Sequence, residues 1–232
     1  MDSKAVSKEI REKVWPLLKD QGFRRFTTRS AWRYEDHKID VVNFQSFNSY
    51  LAGALGVTSF SFTVNLGSFL TYVPPQWPLK SKDGHFMPHE AECHFRGSLS
   101  PTNHTSEPGI WVAKLDQAKH VPEGVWSVDE RGLNLDHCIR DVAGQLPLAA
   151  SWFSRLSDKS EVLRILLEDE EKMQRLWGFG RNPSPLRAYL TGYVARDLQY
   201  DQLARQKLAE AVSSRCFDDL FGNVEQAICR VA

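Results

Sequence analysis

The sequence predicts an α+β protein, in which an antiparallel sheet of roughly four to six strands packs against N-terminal and C-terminal helices, with a helical C-terminal appendage. Three observations carry this expectation. The run from Val57 to Gly67, VTSFSFTVNLG, alternates so that Phe60, Phe62, Val64 and Leu66 share one face of an extended strand and Ser59, Ser61, Thr63 and Asn65 share the other. Near the N-terminus Val6, Ile10, Val14 and Leu17 recur at helical spacing, and after Asn134 the apolar period again becomes that of a helix. A chain of 232 residues is long enough to bury a core without disulfides or metals.

Taken in order, the first helix is expected to kink or restart at Pro16 and to end at Gly22 in a left-handed cap. FRRFTTRSAWRYED reads as two short strands about Thr28 to Ser30, with Trp32 and Tyr34 on one face and Arg33 on the other. Ile39 to Phe47 is a strand rich in β-branched and aromatic residues, with Val42 and Phe44 facing one way and Ile39, Val41, Asn43 and Gln45 the other. Asn48 to Gly56 reads as a loose hairpin connection that returns VTSFSFTVNLG antiparallel. The amides of Asn43 and Gln45 then lie near Ser61, Thr63 and Asn65 on one polar sheet face.

Pro74, Pro75, Pro78 and Pro88 make Tyr72 to Pro88 a long loop with at most an edge strand. Glu92 to Leu99 reads as a further strand, with short pieces at Ile110 to Val112 and Val125 to Val128. Ile139, Val142, Leu146 and Phe153 fit a helix interrupted or bent at Pro147. Asp158 and Glu161 have the capping-box pattern, Trp177 to Pro183 breaks the regularity, and Ser184 with Pro185 launches a helix through Leu186, Tyr189, Leu190 and Tyr193. Asp201 is expected to cap another helix, and a short one around Val224 and Ile228 closes the chain. The chain thus divides into an α+β domain over 1–157 and a helical region over 158–232, packed on it or appended to it.

Hydrophobic residues at 42% and charged residues at 25% are ordinary for a globular protein and exclude the disordered and membrane classes. Lys plus Arg and Asp plus Glu both number 29, which removes the global pull that non-specific nucleic-acid binders use. Cys93, Cys138, Cys216 and Cys229 form no C-x-x-C pair, so reduced thiols and a cytoplasmic location are expected. MDSKAVSKEIREKV does not read as a signal peptide, and no apolar run approaches the ~18 residues of a membrane span. Gly178-Phe179-Gly180 lacks the third glycine and the preceding strand of a phosphate-cradling loop, so no cofactor is expected.

Leu17-Leu18 followed by Gly22-Phe23-Arg24, then Val42-Asn43-Phe44-Gln45, Phe62-Thr63-Val64-Asn65-Leu66-Gly67 and Glu92-Cys93-His94-Phe95-Arg96 resemble, in that order, an uncharacterised bacterial domain-of-unknown-function family. Its members share an N-terminal helix, a GF-K/R exit, an N-L-Q strand, an F-x-V-N-L-G strand and a C-H-x-R strand. The resemblance covers about the first two thirds of the chain. It implies an antiparallel sheet packed on helices. Because such genes look to stand near toxin systems, it also implies an immunity or interaction role with a protein partner. The family supplies no catalytic residues.

Three constellations are candidates for chemistry. In HFMPHEAECH, the residues His85, His89 and Cys93 are spaced four apart, and His94 adjoins them, which gives a metal-binding or hydrolase expectation. Against it, the second histidine of H-E-x-x-H is missing and Pro88 disfavours a helix through the string. Arg24, Arg25, Arg29 and Arg33, interleaved with Phe23, Phe26 and Trp32, could face RNA or single-stranded DNA, which the neutral net charge argues against. The leading expectation is a recognition face of Asn43, Gln45, Ser61, Thr63 and Asn65. Asparagine is depleted in strands, so mid-strand side chains with both donor and acceptor point to recognition or to a buried network, against the plain alternative of a solvated outer sheet face.

Overall fold

Val6, Ile10, Val14 and Leu18 bury one stripe of the N-terminal segment completely. This segment is α1 (Ser3–Glu9), a π-helical turn (Ile10–Val14) and α2 (Trp15–Asp20), with Pro16 in the first turn of α2. Proline cannot donate to the turn before it, and the wider π turn shifts the buried stripe by one residue. Leu18 is therefore in the core, while Leu17, expected there, is 40% exposed. Gly22 follows with φ +92°, in the left-handed region expected of it. The computed structural model describes residues 3–102, 124–168, 179 and 183–230; the expected strand piece at Ile110 to Val112 and most of Trp177 to Pro183 lie outside them.

The fold is α+β, as expected. The strands are β1 (Arg25–Phe26), β2 (Ser30–Glu35), β3 (Lys38–Ser46), β4 (Phe62–Leu70), β5 (Ser81–Lys82), β6 (His85–Phe86), β7 (Phe95–Leu99) and β8 (Val125–Trp126). Among the described residues the main sheet has the order β1-β2-β3-β4-β7, with β8 pairing β4 beyond the end of β7, and every pairing is antiparallel. Two local expectations are corrected. Asn48 to Gly56 is not a hairpin loop but contains α3 (Ser49–Ala54), because the Asn48 side chain accepts the Leu51 N–H at 2.8 Å and so caps a helical turn. The strand expected from Glu92 starts only at Phe95, because His89 and Glu92 form a capping box around a 3-10 turn at Glu90–Glu92.

The register puts Val42, Phe44, Phe62, Val64, Leu66 and Leu99 on one face, all of them buried. That face packs on Trp15 and on α4 (Leu135–Arg155), with Trp15 against Phe44 at 5.5 Å and Phe23 against Phe153 at 6.0 Å. The fourth helix continues through Pro147, so of the interruption or bend expected there the interruption does not occur; Val142, Leu146, Ala149 and Phe153 all bury on one side and hold the turns together.

Asp158 caps α5 (Lys159–Leu167) through the Ser160 N–H, but Glu161 reaches Arg164 and Arg155 and completes no capping box. Ser184 and Pro185 start α6 (Pro185–Asp197) as expected. Asp201 opens α7 (Asp201–Ser213) without a side-chain cap, and α8 (Val224–Cys229) follows. These helices share one continuous apolar core with the sheet. They are pinned to it where Tyr189 Oη donates to the Pro74 carbonyl at 2.7 Å and Arg230 to the Pro75 carbonyl at 2.8 Å. Among the described residues no helix is long and apolar enough to cross a membrane.

Candidate functional site

Alternation that sends Val42 and Phe44 to the core sends Val41 and Asn43 to the opposite face, so this outer face is built by the same strands. Its two halves differ. Near the start of β3, Trp32, Ile39, Val41, Phe69 and Cys93 form a second small apolar cluster, covered by Leu79 and Met87. Gly67, which presents no side chain, lets the Glu90–Glu92 turn lie directly on the strand.

Toward the end of β3 the face is polar. Asn43 lies opposite Ser30 on β2 and Asn65 on β4, Gln45 lies opposite Thr63, and Asn65 lies opposite Ser98 on β7. Asn43 is 6% exposed and donates from Nδ2 to Ser30 Oγ at 2.8 Å, while its Oδ1 has no partner among the described residues. Asn65 Nδ2 donates to Gln45 Oε1 at 3.0 Å, and Ser98 Oγ donates to Asn65 Oδ1 at 3.2 Å. An amide and hydroxyl row therefore crosses the sheet.

Glu90 reaches this row from the covering turn. Burial pushes its carboxyl above the usual range, against the pull of His89, the Asn65 side chain and Arg96. His89 Nδ1 stands 2.8 Å from Glu90 Oε2 but also receives the Ala91 N–H, so the contact becomes a hydrogen bond only when a proton lies between the two groups.

Of the expected face, Asn43, Gln45, Thr63 and Asn65 are brought together, and Ser61 is not. Ser61 precedes β4, is fully buried, and accepts the Val128 N–H at 3.0 Å with Thr58 Oγ1 at 3.2 Å. The alternation continues past the point where the chain turns, so the pattern alone misplaces it.

The histidine and cysteine string is dispersed into structural roles. His85 is exposed with its ring 5.2 Å from that of Tyr34, His89 caps the 3-10 turn, and the buried Cys93 thiol points at the His89 carbonyl at 3.5 Å. Burial pushes the Cys93 thiol well up. His94 is buried on Phe69 and accepts the Leu70 N–H at Nδ1. Among the described residues no group of three or more His, Cys, Asp or Glu is arranged to hold a metal ion.

The arginines are likewise placed apart. Arg24 donates to the Lys19 carbonyl at the end of α2, Arg25 pairs with Asp83 at 3.1 Å, and burial lowers the pKa of the half-buried Arg29. Arg33 turns to the core side, 2.6 Å from Asp40.

Two features escaped the sequence analysis. Lys38 and Asp40 are fully buried and paired at 2.8 Å, with Arg33, Glu35 and Ser68 around them. The signal was present, since both fall on the face of Val42 and Phe44. The second is a hairpin, β5–β6, signalled by Asp83-Gly84 but hidden among prolines. Comparison of the chain with protein-family models, with curated proteins and with solved structures finds no match.

Proposed function

We propose that the protein is a cytoplasmic, immunity-like binding module that receives a segment of a partner protein on the outer face of its sheet. The observation that carries this is the connected row Gln45, Asn65 and Ser98, which spans β3, β4 and β7 on the half of the face that the covering turn leaves open. Gln45 Nε2 donates to no acceptor among the described residues, so both its hydrogens are available to a main-chain carbonyl. Tyr50, 85% exposed on α3 just past the end of β3, supplies an aromatic anchor of the kind that dominates protein interfaces. All four cysteines are free, which suits a reducing compartment.

The test is calorimetric titration of the purified chain with the protein encoded beside its gene. The double variant Gln45→Ala with Asn65→Ala is expected to weaken binding by about tenfold, the scale of one or two interfacial hydrogen bonds, with an unchanged unfolding midpoint. Undiminished affinity would retire this face as the interface, and no binding of the wild-type chain would retire the immunity-like role.

A further inference from the structure

Beside the polar row, and sharing Ser30 with it, lies a concavity that the local sequence builds. Asp83 and Gly84 take φ of 51° and 73°, the left-handed pair that a two-residue hairpin loop requires, so Ser81–Lys82 and His85–Phe86 close into a ribbon. The ribbon and the chain after it are tied to the sheet at three points. Arg25 pairs with Asp83 at 3.1 Å, Tyr34 Oη donates to the Phe86 carbonyl at 3.0 Å, and Trp32 Nε1 donates to the Pro88 carbonyl at 2.9 Å. An open concavity of about 700 Å³ remains there, walled by Ser30, Trp32, Lys80, Lys82, Met87 and Ala91 among others.

The lining has an apolar floor and a cationic rim. Trp32 and Met87 belong to the small outer cluster. Among the described residues neither the Lys80 nor the Lys82 ammonium is taken by a carboxylate or a carbonyl. Ser30 Oγ accepts the Asn43 amide through one lone pair, which leaves its hydroxyl hydrogen able to donate to a ligand. Of the titratable groups nearby, Arg25 is met by Asp83, the His89 ring in the wall stands 2.8 Å from the Glu90 carboxylate, and Glu92, the carboxylate in the wall, accepts the His89 backbone N–H at 2.6 Å.

We propose that this concavity binds a small organic anion, a carboxylate or phosphate carried on a flat or aliphatic body. The head group meets Lys80, Lys82 and the Ser30 hydroxyl, and the body lies against Trp32 and Met87. Its size falls within the range of about 300–1,000 Å³ usual for small-molecule sites. Trp32, fastened through its ring N–H, is ordered before any ligand arrives, which reduces the entropy lost on binding.

Titration of the full chain with naphthyl phosphate, naphthaleneacetate and the uncharged naphthaleneethanol tests this. Both anions are expected to bind, the alcohol about tenfold more weakly, and added salt should narrow the difference. Lys80→Gln with Lys82→Gln changes only exposed side chains, so the fold stays and the preference for anions disappears while the alcohol is unaffected. Ala91→Trp, also at an exposed position, fills the concavity and abolishes binding of all three. Equal affinity for alcohol and anions, no binding at millimolar probe, or full anion affinity in the lysine double variant would each overturn the proposal.

Discussion

Gly67 and Cys93 meet in a gap that only a glycine leaves, since a Cβ on Gly67 would stand 2.7 Å from the Cys93 sulfur and 3.0 Å from Glu90 Cα. The second of these neighbours is backbone and cannot swing aside. Gly67→Ala is therefore expected to push the Glu90–Glu92 turn off the sheet at a cost of about 1–3 kcal/mol. Urea unfolding measures the loss, and faster hydrogen exchange confined to the segment after Pro88 locates it. Stability equal to wild type would mean that the turn yields freely.

The Lys38–Asp40 pair is fully buried, which makes it sensitive to loss of either partner. Asp40 also takes the Ser68 hydroxyl at 2.8 Å and Arg33 at 2.6 Å, while Lys38 donates to the Phe153 carbonyl at 2.9 Å and so fastens β3 to the end of α4. Lys38→Met leaves a buried carboxylate short of a partner and is expected to cost about 3–5 kcal/mol. A shift in the denaturation midpoint corresponding to less than ~1 kcal/mol would show that Arg33 and Ser68 together satisfy Asp40.

His94 gives stability a defined dependence on pH. Burial holds its pKa at about 3, below the ordinary 6.5, so the unfolded chain takes up this proton before the folded one does. The histidine's contribution is complete above its unfolded pKa and is lost as pH falls toward about 3. The slope it adds in that window reaches up to about 1.4 kcal/mol per pH unit. Unfolding curves collected across the window should be steeper in pH for wild type than for His94→Gln, and parallel dependences would contradict this.

Asn43 and its neighbours on the polar row should separate by what they do for the fold. Asn43→Ala removes the buried bond to Ser30 and is expected to cost about 1 kcal/mol. Gln45→Ala with Asn65→Ala, at the open half of the row, should stay within about 0.5 kcal/mol of wild type. Thermal unfolding of the two variants side by side makes the comparison.

Thiol reactivity should follow burial. Cys216 and Cys229 are exposed, whereas Cys93 and Cys138 are buried, and burial pushes Cys138 up to about 11. Iodoacetamide labelling of the native chain, read by peptide mass spectrometry, should modify Cys216 and Cys229 first and reach the other two only in denaturant.

Sequence alone determined which residues of β3 and β4 face the core and which face outward, because the period of two is a property of the extended backbone itself. Asn43, Gln45, Thr63 and Asn65 were legible as one polar face for that reason, as were the Ser184-Pro185 helix start and the Gly22 exit. Tertiary structure decided the rest. Ser61 left the face because it is held by Val128, a residue remote in the chain, and Leu18 replaced Leu17 in the core because the turn before Pro16 widened. Ser30 and Ser98 joined the row only through strand register, which no local pattern reports. The same holds for the division of the outer face into a covered half and an open half. It rests on Gly67 admitting a distant turn and on Arg25, Tyr34 and Trp32 holding the hairpin, contacts that exist only once the chain has folded back on itself.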